Sequence, residues 1–516
     1  MRDALFHLRR DGKSSLQMQL REMLVSAILQ GQIPAGSPLP SSRKLAETLD
    51  VARNTVALAY QDLVAEGFLV AHERRGYFVN GEILTGSVQA GRASGRTATS
   101  ERAANDIGPD WRHRFKVTPT GQRNVVKPRD WQTFRYPFIY GQVDPALFPL
   151  SEWRECSRQA LSVDAVRDWC TDHFTLDDSL LVEQIRTRLL PRRGVRVAPD
   201  EILVTVGAQH ALYLLAALLV TGETTVGIEE PGYADARNIF ALRTSKLRPL
   251  PLDANGIVIG PELKGCDYVH VTPSHQFPTT VNMPLERREA LLARAKADDF
   301  VLIEDDYESE INHVGPPHPA LKSLDDSGRV IFLASLSKTL APGLRMGYMV
   351  GPRDLIREAR ALRRLMLRHP PANNQRTVAL FLARGNHDSL MRRLSHAYRE
   401  RWQVMRDALA LHLPQCKVWP SIGGTAYWAE GPKTLDARET ERLAAIEGIL
   451  IEPGDVHFMG TTWQPSAKGR KAPSEGNLID GLPRNYFRLG FSSIPVDRIE
   501  PGLKLLGDII RRQIKR

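Results

Sequence analysis

The first run of the chain, "SLQMQLREMLVSAILQG", places Leu16, Leu20, Met23, Leu24, Ala27 and Ile28 at helical spacing on one face. "IPAGSPLP" interrupts it, and "SSRKLAETLD" opens a second helix with Ser41 or Ser42 as its cap. A short turn leads into "ARNTVALAYQDLVAEG", again amphipathic. "FLVAHERRGYFV" then alternates around a tight turn and predicts a β-hairpin. Helix, helix, turn, helix and hairpin is a winged helix-turn-helix plan, and it ends near Asn80.

From about residue 81 to 135 the period disappears. "GRASGRTATSERAANDIGP" is rich in Gly, Ser, Thr, Ala and Arg, which predicts a flexible linker. Beyond about Tyr136, apolar strands alternate with amphipathic helices: "EILVTVGAQHALYLLAALLV", "TTVGIEEPGY", "DYVHVTPS", "DFVLIEDDY" and "RVIFLASLSK". That alternation predicts a three-layer α/β/α domain over 136–516. The expected organisation is therefore 1–80 reader, 81–135 linker and 136–516 large domain.

Charge sharpens this division. The chain of 516 residues carries a net charge of +10. Residues 81–135 hold ten Lys/Arg against five Asp/Glu, and residues 1–80 hold ten against eight. A basic excess near one end permits nucleic-acid contact, and a solvated basic linker accounts for residues 81–135 equally well. The longest strongly apolar run, "ALYLLAALLV", is too short to span a bilayer, and the start of the chain has no apolar leader. The four cysteines are scattered, with no CxxC and no histidine pairing, which predicts reduced thiols, a cytoplasmic setting and no metal site.

In a winged helix the second helix of the helix-turn-helix lies in the major groove with its first residues at the base edges. Here those residues are Arg53, Asn54 and Thr55, following Ala52. Arg53 suits guanine and Asn54 suits adenine. Arg43 is placed to hold a phosphate, and the hairpin tip at Arg74, Arg75 and Gly76 to reach the minor groove or the backbone. The wording "LPSSRKLAETLDVARNTVALAYQDLVAEGFLVAHERRGYFV" closely resembles the GntR family of bacterial transcription regulators. That resemblance implies that Arg43, Arg53, Asn54, Thr55, Arg75 and Gly76 contact double-stranded DNA.

In the large domain, "SLSKTLAPGLRMGY" puts Lys338 just beyond a buried strand and Arg345 seven residues later. Open α/β sheets bind ligands at the carboxyl ends of their strands. "FVLIEDDY" ends a second strand in Asp305, Asp306 and Tyr307. A carboxylate there suits a protonated pyridine nitrogen, and a tyrosine suits a phenolate oxygen. "TVGAQHAL" sets Gly207, Ala208 and Gln209 at a strand-to-helix turn, where backbone N–H groups cradle a phosphate. Ser335, Ser337 and Arg345 add phosphate contacts. A lysine desolvated in such a pocket has a lowered pKa and condenses with an aldehyde. Together these groups describe a pyridoxal phosphate site.

The same stretch resembles fold-type I aminotransferases. The resemblance implies Lys338 as the lysine that forms the aldimine, Arg345 on the phosphate, Asp305 on the pyridine nitrogen and Tyr307 on the 3′-oxygen. It also implies Tyr233 near the cofactor ring and Arg488 of "NYFRLGFS" on an effector carboxylate. Two departures stand out. "QFPTT" replaces the family's NPTG, so Phe277 stands for its asparagine and Thr280 for its glycine. The tyrosine that reaches the partner subunit's phosphate has no clear equivalent, Trp169 and His173 being candidates.

The reader, basic linker and aminotransferase-like domain in this order resemble the MocR subfamily of GntR regulators. "TPSHQFPT" and "EDDY" are similar to that subfamily's own motifs, which puts His275 and Gln276 at the cofactor pocket. The resemblance implies a head-to-tail homodimer binding repeated half-sites. It also implies sensing of a small amine or amino acid by aldimine exchange, members responding to γ-aminobutyrate, taurine or pyridoxal phosphate itself. The alternative is an active aminotransferase with a DNA-binding appendage, favoured by the intact lysine, aspartate and phosphate groups and opposed by Phe277 and the fused reader.

Overall fold

A computed structural model of the chain describes residues 8, 14–82, 109, 111–172, 175–308, 310–312, 318–419, 421, 423–460 and 481–515. It divides into two compact units, 1–114 and 115–516. Most of the predicted linker, 83–108, and the candidate His173 lie outside the described residues.

In the first unit, helices α1 (Leu16–Leu29), α2 (Ser42–Leu49) and α3 (Arg53–Ala65) precede strands β1 (Leu69–His72) and β2 (Gly76–Val79). Leu20, Leu24, Ala27 and Ile28 of the predicted face are buried against Leu45, Val56, Ala59, Tyr60 and Leu63. Leu16 and Met23 sit at the margin. Ser41 is the cap of α2, its hydroxyl accepting from Lys44 N at 3.3 Å. The β1–β2 hairpin pairs His72 with Gly76, and Gly76 takes φ +95°. An L side chain is strained there, which accounts for glycine at the tip.

The second unit starts at Phe115, some twenty residues ahead of the boundary expected near Tyr136. Its strands β3 (Ile202–Thr205), β4 (Val226–Glu230), β5 (Leu247–Asp253), β6 (Gly256–Ile257), β7 (Tyr268–Val271), β8 (Val301–Asp306), β9 (Val330–Ser335) and β10 (Gly347–Val350) form one sheet. Their order is β3-β10-β9-β8-β7-β4-β5-β6. β4, β5, β7, β8 and β9 are parallel, while β10 and β6 run antiparallel to their neighbours. Parallel strands are covered on both faces and so read as near-continuous apolar runs. β9 shows this: Val330, Ile331, Phe332, Leu333 and Ala334 are all buried.

Helix α4 (Ala208–Leu219) follows β3 directly. A smaller antiparallel sheet nearer the carboxyl end holds β11 (Lys417–Val418), β12 (Ala426–Glu430), β13 (Glu452–Pro453) and β14 (Tyr486–Gly490), in the order β11-β12-β14-β13. Phe138 ties an earlier segment to this sheet: its N–H donates to Leu450 O at 2.9 Å, and its C=O accepts from Gly490 N at 3.1 Å. No helix among the described residues is long and apolar enough to cross a membrane.

Candidate functional site

The carboxyl ends of β8 and β9 deliver Asp305 and Ser335 to one cavity of about 230 Å3. Ser337, Lys338 and Arg345, from the loop that joins β9 to β10, line the same space, as do Ala208, Gln209, Tyr233 and Tyr307. Burial, with the Lys127 ammonium close by, brings the Lys338 amine down to about 8. Its Nζ lies 4.5 Å from the centre of the Tyr140 ring.

Asp305 is buried, and its Oδ1 accepts no hydrogen bond among the described residues. His270 Nε2 stands 3.7 Å from its other oxygen. A buried carboxylate with an unfilled oxygen facing a cavity calls for a cationic N–H donor, as a protonated pyridine provides. Ser337 Oγ is likewise buried without a partner.

Gly207 precedes α4 with φ +80°, leaving the first N–H groups of the helix unpaired at its positive end. A Cβ on Gly207 would lie 3.1 Å from an Arg345 guanidinium nitrogen, so glycine is what admits that side chain. Arg345 itself takes φ +48° and donates to Val206 O at 3.3 Å. Helix N-terminus, arginine and hydroxyls thus surround one end of the cavity with donors, which fits a phosphate.

Tyr233 donates to Asp235 Oδ2 at 3.2 Å and sets its ring 5.2 Å from Phe277, edge-on. Tyr307 donates to the His275 carbonyl at 2.7 Å, and its hydroxyl oxygen also interacts with the Arg488 guanidinium. His275 and Gln276, expected at the pocket, do not line it. The Gln276 amide is spent inside the protein, donating to Glu229 Oε2, Pro231 O and Phe277 O and accepting from Thr279. The His275 ring faces the Gly423–Gly424 turn.

Arg488, on β14, is fully buried and does not line the cavity. Its guanidinium carbon lies 3.5 Å from the centre of the Tyr140 ring and 4.2 Å from that of Phe277, both of which do line it. None of its three nitrogens has a hydrogen-bond acceptor at good geometry among the described residues, the Tyr307 hydroxyl being the side-chain group that interacts with it. Arg488 therefore stands as a desolvated cation one aromatic layer behind the cavity, with the buried Glu308 carboxyl feeling its charge.

Sequence reasoning missed Tyr140, Lys127, Glu452, His457 and Glu308. The first four line the cavity. Glu308 is buried, accepts from Thr425 Oγ1, and feels the charges of Arg488 and Lys338. Burial pushes its carboxyl up and His457 well down. "EDDYE" carried a signal for Glu308, one residue past Tyr307; the others carry no local mark.

In the reader, Arg53 is the first residue of α3, and no side chain caps that helix. Arg43, Arg53, Asn54, Arg75 and Gly76 are exposed and Thr55 is half-buried. Their donors are open to a ligand.

Residues 16–79 match the model for bacterial regulatory proteins of the gntR family, and residues 179–463 that for aminotransferase class I and II. The chain is 39% identical to the HTH-type transcriptional regulator TauR of Rhodobacter capsulatus, over 98% of this chain and 99% of that protein. It is 31% identical to the probable rhizopine catabolism regulatory protein MocR of Rhizobium meliloti, over 94% of each. The chain belongs to the MocR subfamily of GntR regulators. It is a DNA-binding transcription regulator with an aminotransferase-like domain. Among solved structures, Pyrococcus horikoshii kynurenine aminotransferase, in complex with PMP, shares 25% identity at a TM-score of 0.65, covering 74% of this chain and 92% of that one.

Within this MocR-type chain the first departure from the aminotransferase motif, at Phe277 and Thr280, acquires a geometry. Phe277 lies among Tyr140, Tyr233, Tyr307 and His457, with ring centres 5.1–5.9 Å away. An apolar ring thus occupies the place of a hydrogen-bonding amide. Thr280 takes φ +65°, so the backbone keeps the left-handed turn that glycine adopts more easily. Its N–H donates to Gln276 O at 2.7 Å, which holds the turn closed.

Proposed function

We propose that the large domain binds pyridoxal phosphate at Lys338 and senses a small amine through it, altering the reader's affinity for operator DNA. The observation that carries this is the meeting in one cavity of a half-buried amine, a carboxylate with an unfilled oxygen, and the hydroxyl and guanidinium donors of Ser335, Ser337 and Arg345. When bound, the cofactor supplies an aldehyde that condenses reversibly with amines. Lys338 offers the competing amine. Asp305 holds a proton on the pyridine nitrogen. Arg345, Ser335, Ser337 and the α4 N-terminus would hold the phosphate, Tyr233 would support the ring, and Tyr307 would meet the phenolic oxygen. An effector amine that displaces Lys338 shifts the domain equilibrium only by the difference in its binding to the two arrangements. The protein acts as a cytoplasmic head-to-tail homodimer on paired half-sites.

The retained Lys338, Asp305 and Arg488 also favour a second reading, turnover as an aminotransferase. Phe277 opposes it, because the 3′-oxygen loses a polar partner. Incubation with an amino donor and a keto acid separates the two. Spectral change without sustained keto-acid production is expected, and steady multiple turnover places the chain among the enzymes.

Condensation requires the neutral amine. With the Lys338 amine at about 8, the rate of cofactor uptake by cofactor-stripped protein should rise with pH and level off just above 8. A rate still climbing toward pH 10, where an ordinary lysine loses its proton, overturns the desolvated-lysine assignment. Absorbance after mixing at a series of pH values measures it.

In the reader, Arg53→Ala should cost roughly 1–3 kcal/mol and relax preference at one base position, as loss of a bidentate contact does. Arg43→Ala should weaken specific and random DNA alike and lower the salt slope by about 1. Fluorescence anisotropy at several salt concentrations reads both. Equal effects of the two changes on both DNAs would refute the roles.

A further inference from the structure

Lys127 comes from the last part of the segment that follows the reader, yet it lines the cavity. A Cβ on Gly141 would lie 2.6 Å from Lys338 Nζ and 3.5 Å from Lys127 Nζ, so the two amines converge on one point. The Lys127 ammonium donates to the Tyr140 carbonyl and pairs with Glu452 Oε1 at 3.4 Å. Glu452 is buried, lines the cavity, and makes no hydrogen bond through Oε1 among the described residues. On the small sheet Glu452 is the register partner of Arg488. Directly opposed residues share a face, so the Lys127–Glu452 pair lies beside the desolvated guanidinium.

The segment carrying Lys127 is pinned to the cavity wall. Arg123 donates to the Asp455 and Phe458 carbonyls, which flank the cavity-lining His457. Its own carbonyl accepts from Asn238 Nδ2 at 2.9 Å and from the Arg237 guanidinium at 3.2 Å. Gln122 donates to Asn238 O at 2.9 Å.

We propose that Lys127 is a specificity-determining residue: together with Arg488 it takes the acidic group of a short-chain amino-acid effector, exchanging its partner Glu452 for that group. The chemistry is an ion-pair swap. Lys127 keeps a single anionic partner, and the Glu452 carboxylate, already enclosed, is left to recruit a proton or to move. Because the two amines converge, an effector whose nitrogen replaces that of Lys338 has its acidic group only a few bonds away. The swap acts on the end of the chain segment that leads back to the reader, so effector charge is felt there directly. This inference rests on the proposed cofactor site at Lys338.

The test uses full-length protein loaded with pyridoxal phosphate. Cofactor absorbance is titrated with glycine, β-alanine, 4-aminobutyrate and 5-aminopentanoate, and with the matched amines that lack the acidic group, ethylamine, propylamine, butylamine and pentylamine. Lys127→Gln should lower the acid-over-amine preference by about 10- to 100-fold, as loss of one charge-assisted contact does. Lys127→Arg should restore most of it. Glu452→Gln should raise the preference, since it removes the competitor for Lys127; a merely structural role would not give opposite signs. Cofactor content at the unmodified level verifies folding. If the preference is unchanged in Lys127→Gln, the inference is overturned while the cofactor site stands. If the unmodified protein responds to none of these amines, the cofactor-sensing reading fails and this inference falls with it.

Discussion

Lys338→Ala is expected to bind operator DNA as tightly as the unmodified protein while losing every influence of effector on that binding. Among the described residues, the reader core of α1, α2, α3 and the hairpin contains none beyond Val79. Removing one amine from the large unit therefore leaves the DNA contacts in place. The effector's influence is different in kind. It requires a differential interaction with two arrangements, and couplings of this type are worth about 1–3 kcal/mol. With no Lys338 to compete, displacement cannot report the effector, and the whole difference disappears. Borohydride reduction followed by peptide mapping supplies the covalent control: a pyridoxyl label on Lys338 in the unmodified protein, and none in the variant. A label on another lysine overturns the pocket assignment. A Lys338→Ala protein that still answers effector in DNA titrations shows that the large domain senses its ligand without that amine.

Much of this site was legible because the relevant groups lie where a local pattern marks them. β8 and β9 open as short apolar runs, Val301 to Ile303 and Val330 to Ala334, so their carboxyl ends, and with them the positions of Asp305 and Lys338, were placed by strand prediction alone. Gly207 marked its turn, and the spacing from Lys338 to Arg345 marked a second cation at the same cavity. The reader was legible because its helices bury one face each and its hairpin tip needs a glycine. The missed residues have a common cause. Tyr140 reaches Arg488 because Phe138 hydrogen-bonds with Leu450 and Gly490, hundreds of residues away. Lys127 sits in a stretch without hydrophobic period, and its partner Glu452 is on a two-residue strand. No helical or strand period encodes such contacts. Gln276 is next to the cavity-lining Phe277 in sequence, but the turn at Thr280 closes it into its own hydrogen bonds.

Arg488→Met is expected to make the effector-free protein more stable and nearly blind to acidic effectors. A fully buried guanidinium with no hydrogen-bond acceptor at good geometry among the described residues carries a desolvation cost that the Tyr140 and Phe277 faces offset only in part. Methionine fills similar space between two rings without that cost, for a gain of about 1–3 kcal/mol. The gain has a defined pH dependence. Burial raises the Glu308 carboxyl, and Arg488 and Lys338 hold it down. Without Arg488 it rises further, so the folded variant binds a proton that the unfolded chain does not until lower pH. A raised carboxyl contributes stability at low pH that is lost as pH rises through its folded value. The advantage of Arg488→Met is thus largest at mildly acidic pH and shrinks toward alkaline pH. Denaturant unfolding across that range measures it. Against this gain stands the expected loss of the proposed contact with an effector's acidic group, about 100-fold in affinity for amino acids, with amines that lack that group little affected. A variant that is less stable at every pH, and whose response to amino acids is unchanged, shows that Arg488 serves packing. The expected opposite changes identify a residue kept at a cost to the fold for the ligand it awaits.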